Sequence, residues 1–495
     1  MKEKTILMLV DRTMIIYIKN HDFHYEMENI TRLFFPNDKL EICREIPDQL
    51  QPPYALTELD DSGARVEVFV DGILKSDSKT LEDGEDAELV MAVLLFGIYR
   101  EITLISPPWG VLTGVRPIKL FRRLAEADGM EHTVDYFRNK LLVTEDKVRI
   151  TVETESNESK IIALSQEKSF SLYISIPFCP SRCSYCSFVS ASVERTSHLI
   201  EPYVKLLCEE ITATAEFAAK LGLHLESVYM GGGTPTTLNA EQMNRVLQTV
   251  INSFDMSGCR EFTVEAGRPD TITGDKLSAI IGCGVDRISI NPQTLNDEVL
   301  ERIGRRHSAR QAIESFELAR SLGFNHINMD LIAGLPGESC GSFVSTLDKV
   351  VDMNPESITV HTLSMKRSSN LTMGGKELYA EEAENTAKML NYADRKLHVS
   401  QYFPYYLYRQ SRMVGNLENT GWSKRGKEGI YNVFVMDETH TILACGAGAV
   451  SKLKDNKKDY LERIFNFKYP YEYIDRFDEM IKRKERIESF YAEHY

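Results

Sequence analysis

No stretch of this chain approaches the roughly 18 to 20 consecutive apolar residues that a membrane-crossing helix requires. An export signal is missing too: in MKEKTILMLVDRTMIIYIKN the apolar run is broken by Asp11 and Arg12, a pattern that suits two short strands and a turn. There is no basic surplus. Lys and Arg number 58 against 73 Asp and Glu, a net charge of −15, so the surface field repels phosphate backbones and anionic membranes, and nucleic acid is not an expected partner. Cysteine is scarce and odd in number, nine in 495 residues, which argues against a disulfide framework. The expected compartment is therefore the cytoplasm. With 43% hydrophobic and 26% charged residues, the chain reads as globular, and its length implies two or three domains.

What is present is a rhythm. Short β-branched and apolar runs recur at 173–176, 227–230, 262–265, 287–290, 327–332 and 358–361. Segments of helical period separate them. In ARQAIESFELARSLG, Ile313, Phe316, Ala319 and Leu322 form one stripe, and Gly323 stands where the helix should end; EPYVKLLCEEITATAEFAAKLG and CGSFVSTLDKVVDM behave alike. Six strand–helix alternations predict a parallel sheet of βαβ units. Six is short of the eight that close a full barrel, so the expected fold is α/β, a partial (β/α)6 barrel, with a doubly wound sheet as the alternative. Either way, ligands belong at the carboxyl ends of the strands.

Residues 1–165 lack the rhythm and read as a separate α+β domain. ARVEVFVDGIL alternates like a solvent-facing strand with a turn, DAELVMAVLLFGIYREI and RPIKLFRRLAEAD are helical in pattern, and TVETESNESKIIALSQEK is polar enough to hold the junction. The repeating core spans 166–365. Residues 366–495 form a smaller region expected to cover a substrate: a helical stretch (GGKELYAEEAENTAKMLNYADRKL), aromatic and Gly-rich segments, and a charged helical end.

Six cysteines, Cys43, Cys208, Cys259, Cys283, Cys340 and Cys445, stand singly and read as small buried residues or free thiols. The other three share the motif CPSRCSYC, directly after the first core strand. At this spacing Cys179, Cys183 and Cys186 can reach one soft metal centre, zinc or iron–sulfur. Structural zinc wants four ligands, and the nearest further candidates, His198 and Cys208, lie beyond the loop. Three thiolates on a four-iron cubane would leave one iron open to a small molecule. After the second strand, YMGGGTPTTL places Gly231, Gly232 and Gly233 where a ligand's polar end could approach the backbone, though tight βα turns use glycine in the same way. Strands three to five end in polar residues, Glu265, Gln293 and Asp330, each of which alone suits a cap or loop anchor.

Taken together, CxxxCxxC and the βα repeat resemble the radical S-adenosylmethionine enzymes. The resemblance implies a [4Fe–4S] cluster on Cys179, Cys183 and Cys186, with the methionine end of S-adenosylmethionine on the fourth iron. One electron then splits the sulfonium to give a 5′-deoxyadenosyl radical. GGGTP, including Thr234, is similar to the family's element for the methionine end of the cosubstrate. Glu265 in FTVEAGRPD, Gln293 with Arg305 in ISINPQTLNDEVLERIGRRH, and Asp330 in NHINMDLIAGLPGE resemble the cosubstrate contacts of the oxygen-independent coproporphyrinogen III dehydrogenase group. Tyr173 corresponds to an aromatic hydroxyl near the sulfonium, and Gly446 and Gly448 in ILACGAGAVSKL to that group's GxGA loop. Arg305 could join a propionate pocket, while Arg306 and His307 read as a solvated helix end. PPWGVLTGVRPIKLF resembles the HemZ type of the group.

The implied reaction is oxidative decarboxylation of two propionates of coproporphyrinogen III to vinyl groups, with an electron donor such as flavodoxin or ferredoxin. Two positions depart from the dehydrogenases: Phe188 and Ser175 stand where those carry Cys and His, and CSYCSF is closer to the haem chaperone branch. A third branch degrades haem. A tetrapyrrole is the expected partner in all three.

Overall fold

Alternation within the strands sets the architecture. In the computed structural model, which describes residues 12–186, 190–364, 376–410 and 413–495, the chain gathers into two units: Met1–Val152 with Thr372–Glu384 and Arg409–Leu417, and Glu153–Leu371 with Asn385–Tyr408 and Glu418–Tyr495. Of the two strands expected at the start, one falls in residues 1–11 and lies outside the described residues. So do the boundary expected at 365–366 and the first residues of the helix expected from 374. Among the described residues no helix is long and apolar enough to cross a membrane.

The first unit is an α+β body. Its sheet has the order β2 (Lys39–Cys43), β1 (Thr13–Lys19), β3 (Tyr54–Asp60), β4 (Gly63–Val70), β5 (Ile73–Lys79). The alternation read in ARVEVFVDGIL becomes the β4–β5 hairpin, with Val66, Val68 and Val70 buried and Asp71 and Gly72 turning at φ 54° and 80°. Positive φ at both turn residues matches the twist of the flanking strands. Helices His24–Phe34 and Ala87–Thr103 bury Met27, Ile30, Phe34, Leu95 and Phe96, and their aromatic rings meet at 5.2 Å.

The segment TVETESNESK, expected to hold the junction, is helical, the latter part of Glu145–Ile162, and the division between the two units falls within it, between Val152 and Glu153. The buried positions of that helix, Lys147, Val148, Ile150, Thr151, Thr154, Glu155, Glu158 and Ile161, recur at helical spacing. Most are polar, so hydropathy alone hides the stripe.

In the second unit all six expected core strands form: β6 (Ser169–Ile176), β9 (His224–Gly232), β10 (Glu261–Gly267), β11 (Arg287–Ile290), β12 (Ile327–Ala333) and β13 (Ser357–Thr362). They are mutually parallel and adjacent in chain order. Between β6 and β9 come two short strands, β7 (Phe178–Cys179) and β8 (Ala191–Ser192). Downstream strands extend the same sheet. Beyond β13 lie β15 (Asn419–Ser423), antiparallel to it, and β14 (Phe403–Tyr408), antiparallel to β15; beyond β6 lie β16 (Thr441–Cys445), parallel to it, then β17 (Val450–Asp455) and β18 (Tyr460–Phe465), each antiparallel to the strand before it.

Two rows of side chains explain why these strands settle where they do. Phe170, Leu172, Ile174, Val228, Met230, Phe262, Val264, Ile288, Ile290, Met329, Leu331, Ile358 and Val360 form a fully apolar row, each at 4% exposure or less. Burial of each such side chain contributes about 1.5–3 kcal/mol. The alternate row is polar and internally bonded: Ser171 to Ser227, Asn328 to both Ser289 and Asp330, Thr359 to Asn328, and Arg287 to Ser357. This polar face carries the site at its carboxyl end.

The flanking helices follow the sequence signals. Ala309–Ser321 opens with a capping box between Ser308 and Gln311. Its buried face is Ala312, Ser315, Phe316 and Ala319, with Ile313 and Leu322 only half-buried. Steps of three residues drift backwards around a helix of 3.6 per turn, so the stripe read at 313 and 322 slips off the core at both ends.

Candidate functional site

The cysteine loop is closed at its neck. Phe178 and Cys179 on β7 pair in parallel with Ala191 and Ser192 on β8, and Ala191 N–H donates to Pro177 O at 2.8 Å. Its middle rests on a turn before helix Ala309–Ser321: Ser184 N–H donates to Ile303 O at 3.0 Å and Ser181 Oγ to Gly304 O at 3.1 Å. Cys183 is buried, while Cys179 and Cys186 are half-buried. Among the described residues no three His, Cys, Asp or Glu side chains stand gathered as a ready metal cage; residues 187–189, Phe188 included, lie outside the described residues.

Hydrogen-bond donors converge on the thiols. Thr234 Oγ1 donates to Cys179 Sγ at 3.5 Å, and Arg268 Nη1 to Cys183 Sγ at 3.6 Å. Gly233 lies so close that an added Cβ would sit 2.6 Å from Phe178 O and 3.0 Å from Cys179 Sγ. At Gly231 a Cβ would meet the Tyr229 ring at 2.9 Å and Glu265 Oε2 at 3.0 Å. Gly233 is therefore required by close approach to the backbone, Gly231 leaves little room beside Tyr229 and Glu265, and Gly232 adopts a φ of 106° that favours glycine.

Behind the loop lies the acidic end of the polar row. Tyr229 donates its hydroxyl to Glu265, and Tyr173, Tyr229 and Tyr431 stack with ring centroids 6.4, 6.2 and 4.5 Å apart. Burial pushes the Glu265 carboxyl up to about 7 against the pull of the Tyr229 hydroxyl, and the Asp330 charge adds to the rise. Asp330 faces the same burial, but His361, with Nε2 3.6 Å away, together with Asn328 and Thr359, outweighs it and holds Asp330 below its ordinary value. Two neighbouring carboxyls are thereby driven apart, one able to carry a proton near neutrality and one fixed as an anion.

Gln293 N–H donates to Asp330 O at 2.9 Å, which seats Gln293 beside the acids at φ 68°, a left-handed backbone for a non-glycine residue. Its buried Oε1 has no hydrogen-bond partner among the described residues. Arg305, also buried, donates from Nη1 to Asn291 O at 2.5 Å and from Nε to Tyr185 OH at 3.1 Å.

Thus Thr234 and Gly233 touch Cys179, while Tyr173, Tyr229, Gly231, Glu265, Asp330 and Gln293 form a connected group at the strand ends. Arg305 is linked to the cysteine loop through Tyr185. Arg306 is exposed and paired with Glu194 at 2.8 Å, as a solvated helix end should be. His307 is not: it is 3% exposed, lies 4.0 Å from Asp270, and burial pushes its imidazole down to about 3. The turn at Gly304 folds His307 inward instead of continuing a surface helix.

The GxGA loop packs against the start of the cysteine loop. Ser175 Oγ donates to Ala447 O at 2.9 Å, and Tyr203 OH bridges Ser175 O and Ala447 N. Tyr185, Tyr229, Arg268, His361 and Tyr431 are the site residues that sequence reasoning missed. Signals existed for two of them: Tyr185 sits inside CSYC, and Arg268 follows Glu265 in EAGRPD.

A [4Fe–4S] cluster and S-adenosylmethionine fit these residues. Donors aimed at the sulfurs suit charged thiolates, and the glycine cradle with the orphaned Gln293 oxygen and the two acids suits an amino acid end and a ribose. A family model described as the Radical SAM superfamily matches residues 173–350. The oxygen-independent coproporphyrinogen-III oxidase-like protein HemZ of Bacillus subtilis (strain 168) is 34% identical over 94% of this chain and 97% of its own length. The heme chaperone HemW of the same organism is 29% identical over 61% of this chain and 77% of that protein. Among solved structures, coproporphyrinogen III oxidase (HemN) from Escherichia coli, a radical SAM enzyme, shares the fold with a TM-score of 0.51 at 24% identity, covering 65% of this chain and 72% of that one.

Proposed function

Because the chain belongs to the radical S-adenosylmethionine family of oxygen-independent coproporphyrinogen-III oxidase-like proteins, we propose that it oxidatively decarboxylates the propionate side chains of coproporphyrinogen III. Its cofactors are a [4Fe–4S] cluster and S-adenosylmethionine. When bound, the pair supplies one-electron chemistry strong enough to remove hydrogen from an unactivated C–H bond.

The chain's own residues hold and orient. Cys179, Cys183 and Cys186 would ligate the cluster. The backbone of Gly231 to Thr234 would receive the methionine end of the cosubstrate, with the Gln293 oxygen accepting from its ammonium group. Arg305 would contribute positive charge toward a carboxylate. Glu265 and Asp330 offer acceptors to ribose hydroxyls, and the Tyr173 ring offers a flat electron-rich face to a sulfonium. In the net reaction each propionate loses a hydrogen atom from its β-carbon and one electron to an external acceptor, and carbon dioxide leaves to form the vinyl group. A flavodoxin or ferredoxin would be the reductant.

The observation that carries the substrate is the end-to-end likeness to the oxidase-like relative, which extends through both regions flanking the matched core. One observation favours a second reading, a haem carrier: the likeness to the heme chaperone reaches well beyond the matched core, and Ser175 is occupied in bonding the GxGA loop where the dehydrogenases carry His. Anaerobically reconstituted protein with reductant and S-adenosylmethionine should convert coproporphyrinogen III to protoporphyrinogen IX, followed by product chromatography. Stoichiometric haem retention without turnover would replace the enzyme with the carrier.

A further inference from the structure

Arg268 has no place in the roles assigned above, yet it is a buried cation beside a cluster ligand. It follows Gly267, where β10 ends, and its side chain is 4% exposed. A guanidinium taken out of water costs several kcal/mol unless it is fully paired. Here Nε and Nη2 grip the two oxygens of Asp270 at 2.9 and 2.8 Å, a two-pronged pair that fixes the plane of the group. That grip leaves Nη1 for the cysteine loop. It donates to Ser181 Oγ at 3.0 Å, reaches Ser181 O at 3.5 Å, and meets Cys183 Sγ at 3.6 Å. His307 Nδ1 lies 4.0 Å from the same Asp270 oxygen that accepts from Arg268 Nε, and burial pushes its imidazole down, so it does not compete with Arg268 as a cation for the carboxylate.

We infer that Arg268, locked by Asp270, is a positioning residue that sets the reduction potential of the cluster through its hydrogen bond to the Cys183 sulfur. Adding one electron makes the cluster and its thiolates more negative, and an N–H donor on a ligand sulfur stabilises that state. The guanidinium thus raises the potential and makes the cluster easier for a flavodoxin or ferredoxin to reduce. Asp270 contributes by orientation: without it the fork can rotate and Nη1 leaves the sulfur. Arg305, the other buried cation near Cys183, also acts on that thiol through its charge, but its Nε and Nη1 donate to Tyr185 OH and Asn291 O, so the hydrogen bond to the sulfur comes from Arg268.

The inference rests on the three cysteines being the cluster ligands, and the experiment separates the two ideas. Full-length wild type, Arg268→Met, Arg268→Lys and Asp270→Asn are reconstituted anaerobically. Iron and sulfide per chain are counted, and the midpoint is read by potentiometric titration under EPR without S-adenosylmethionine. Arg268→Met should keep its cluster while the ratio of reduced to oxidised protein at a fixed potential falls about tenfold, a shift of about 59 mV for one electron. Asp270→Asn should shift the same way by less, and Arg268→Lys, which keeps charge but loses the fork, should fall between. A full cluster with an unchanged midpoint in Arg268→Met overturns the inference. Should that variant lose its cluster, unchanged midpoints in both loaded Arg268→Lys and Asp270→Asn overturn it equally. Wild type that takes up no iron overturns the ligand assignment itself.

Discussion

At the scale of single residues, the histidines show how far placement outweighs type. His307, His326 and His440 are each pushed down to about 3 by burial. His398 moves the other way, up to about 10, because Asp394 and Glu153 both accept from its ring and outweigh its partial burial. Its Nε2 meets Glu153 at 2.7 Å, and its ring stands edge-on to Trp422 at 5.0 Å. A raised folded-state value means that the charged ring stabilises the fold fully below about 6.5 and loses that contribution as pH rises through about 10. Solvent reaches the pair, so the effect is about 1 kcal/mol at most. The melting temperature of His398→Gln should therefore lie furthest below wild type near pH 6, and the gap should close by pH 10. A gap that widens with pH would contradict the pairing. Asp394 is one helical turn before His398 and so is legible as an i, i+4 pair, but Glu153 lies 245 residues away and is not, whereas Cys179, Cys183 and Cys186 are legible because their chemistry is local to one loop.

At the scale of elements, the six core strands could be read because each carries a β-branched run with helical period on either side, and both signals are local. The partner of β6 on its outer side could not. β16 sits some 270 residues downstream and pairs in parallel through Thr441 with Phe170 to Cys445 with Ile174, an arrangement set by long-range packing. The polar row was glimpsed only at its ends, since an inward face of Ser, Thr and Asn looks like weak strand propensity until the bonds across it are seen. The glycine element yields a sharp test. In Gly233→Ala the new Cβ would strike Phe178 O, Ile176 O and Cys179 Sγ, and two of those are backbone atoms that hold the neck of the cysteine loop. Iron per chain should fall severalfold, with a stability loss of about 1–3 kcal/mol from overpacking. Gly274→Ala is the control: nothing lies within 4 Å of its added Cβ in the first turn of helix Gly274–Gly282, and loading should be unchanged.

At the scale of the whole molecule, one buried carboxylate ties the end of the chain to the core. Glu210, on helix Val193–Leu221, accepts from Lys484 Nζ at 2.9 Å, Tyr473 OH at 2.6 Å, Asn466 Nδ2 at 2.7 Å and the Gly446 N–H at 2.7 Å. Lys484 also donates to Ala444 O at 2.7 Å, and both charged side chains are at most 1% exposed. In sequence Lys484 belongs to the basic run KRKER, which reads as a solvated face, and Glu210 is one acid in a long helix; only the fold joins them. Because Gly446 belongs to the GxGA loop that braces Ser175, the same network steadies the entry to the cysteine loop. A buried pair of this kind contributes little over a well-packed apolar pair, but removing one partner leaves an uncompensated charge. Lys484→Met should therefore cost about 3–5 kcal/mol by denaturant unfolding and lower iron loading, while Glu210→Gln with Lys484→Met together should recover part of both losses. If the single change were neutral, or the double change lost as much as the two singles summed, the chain's last helices would be packed on the core rather than tied to it by charge.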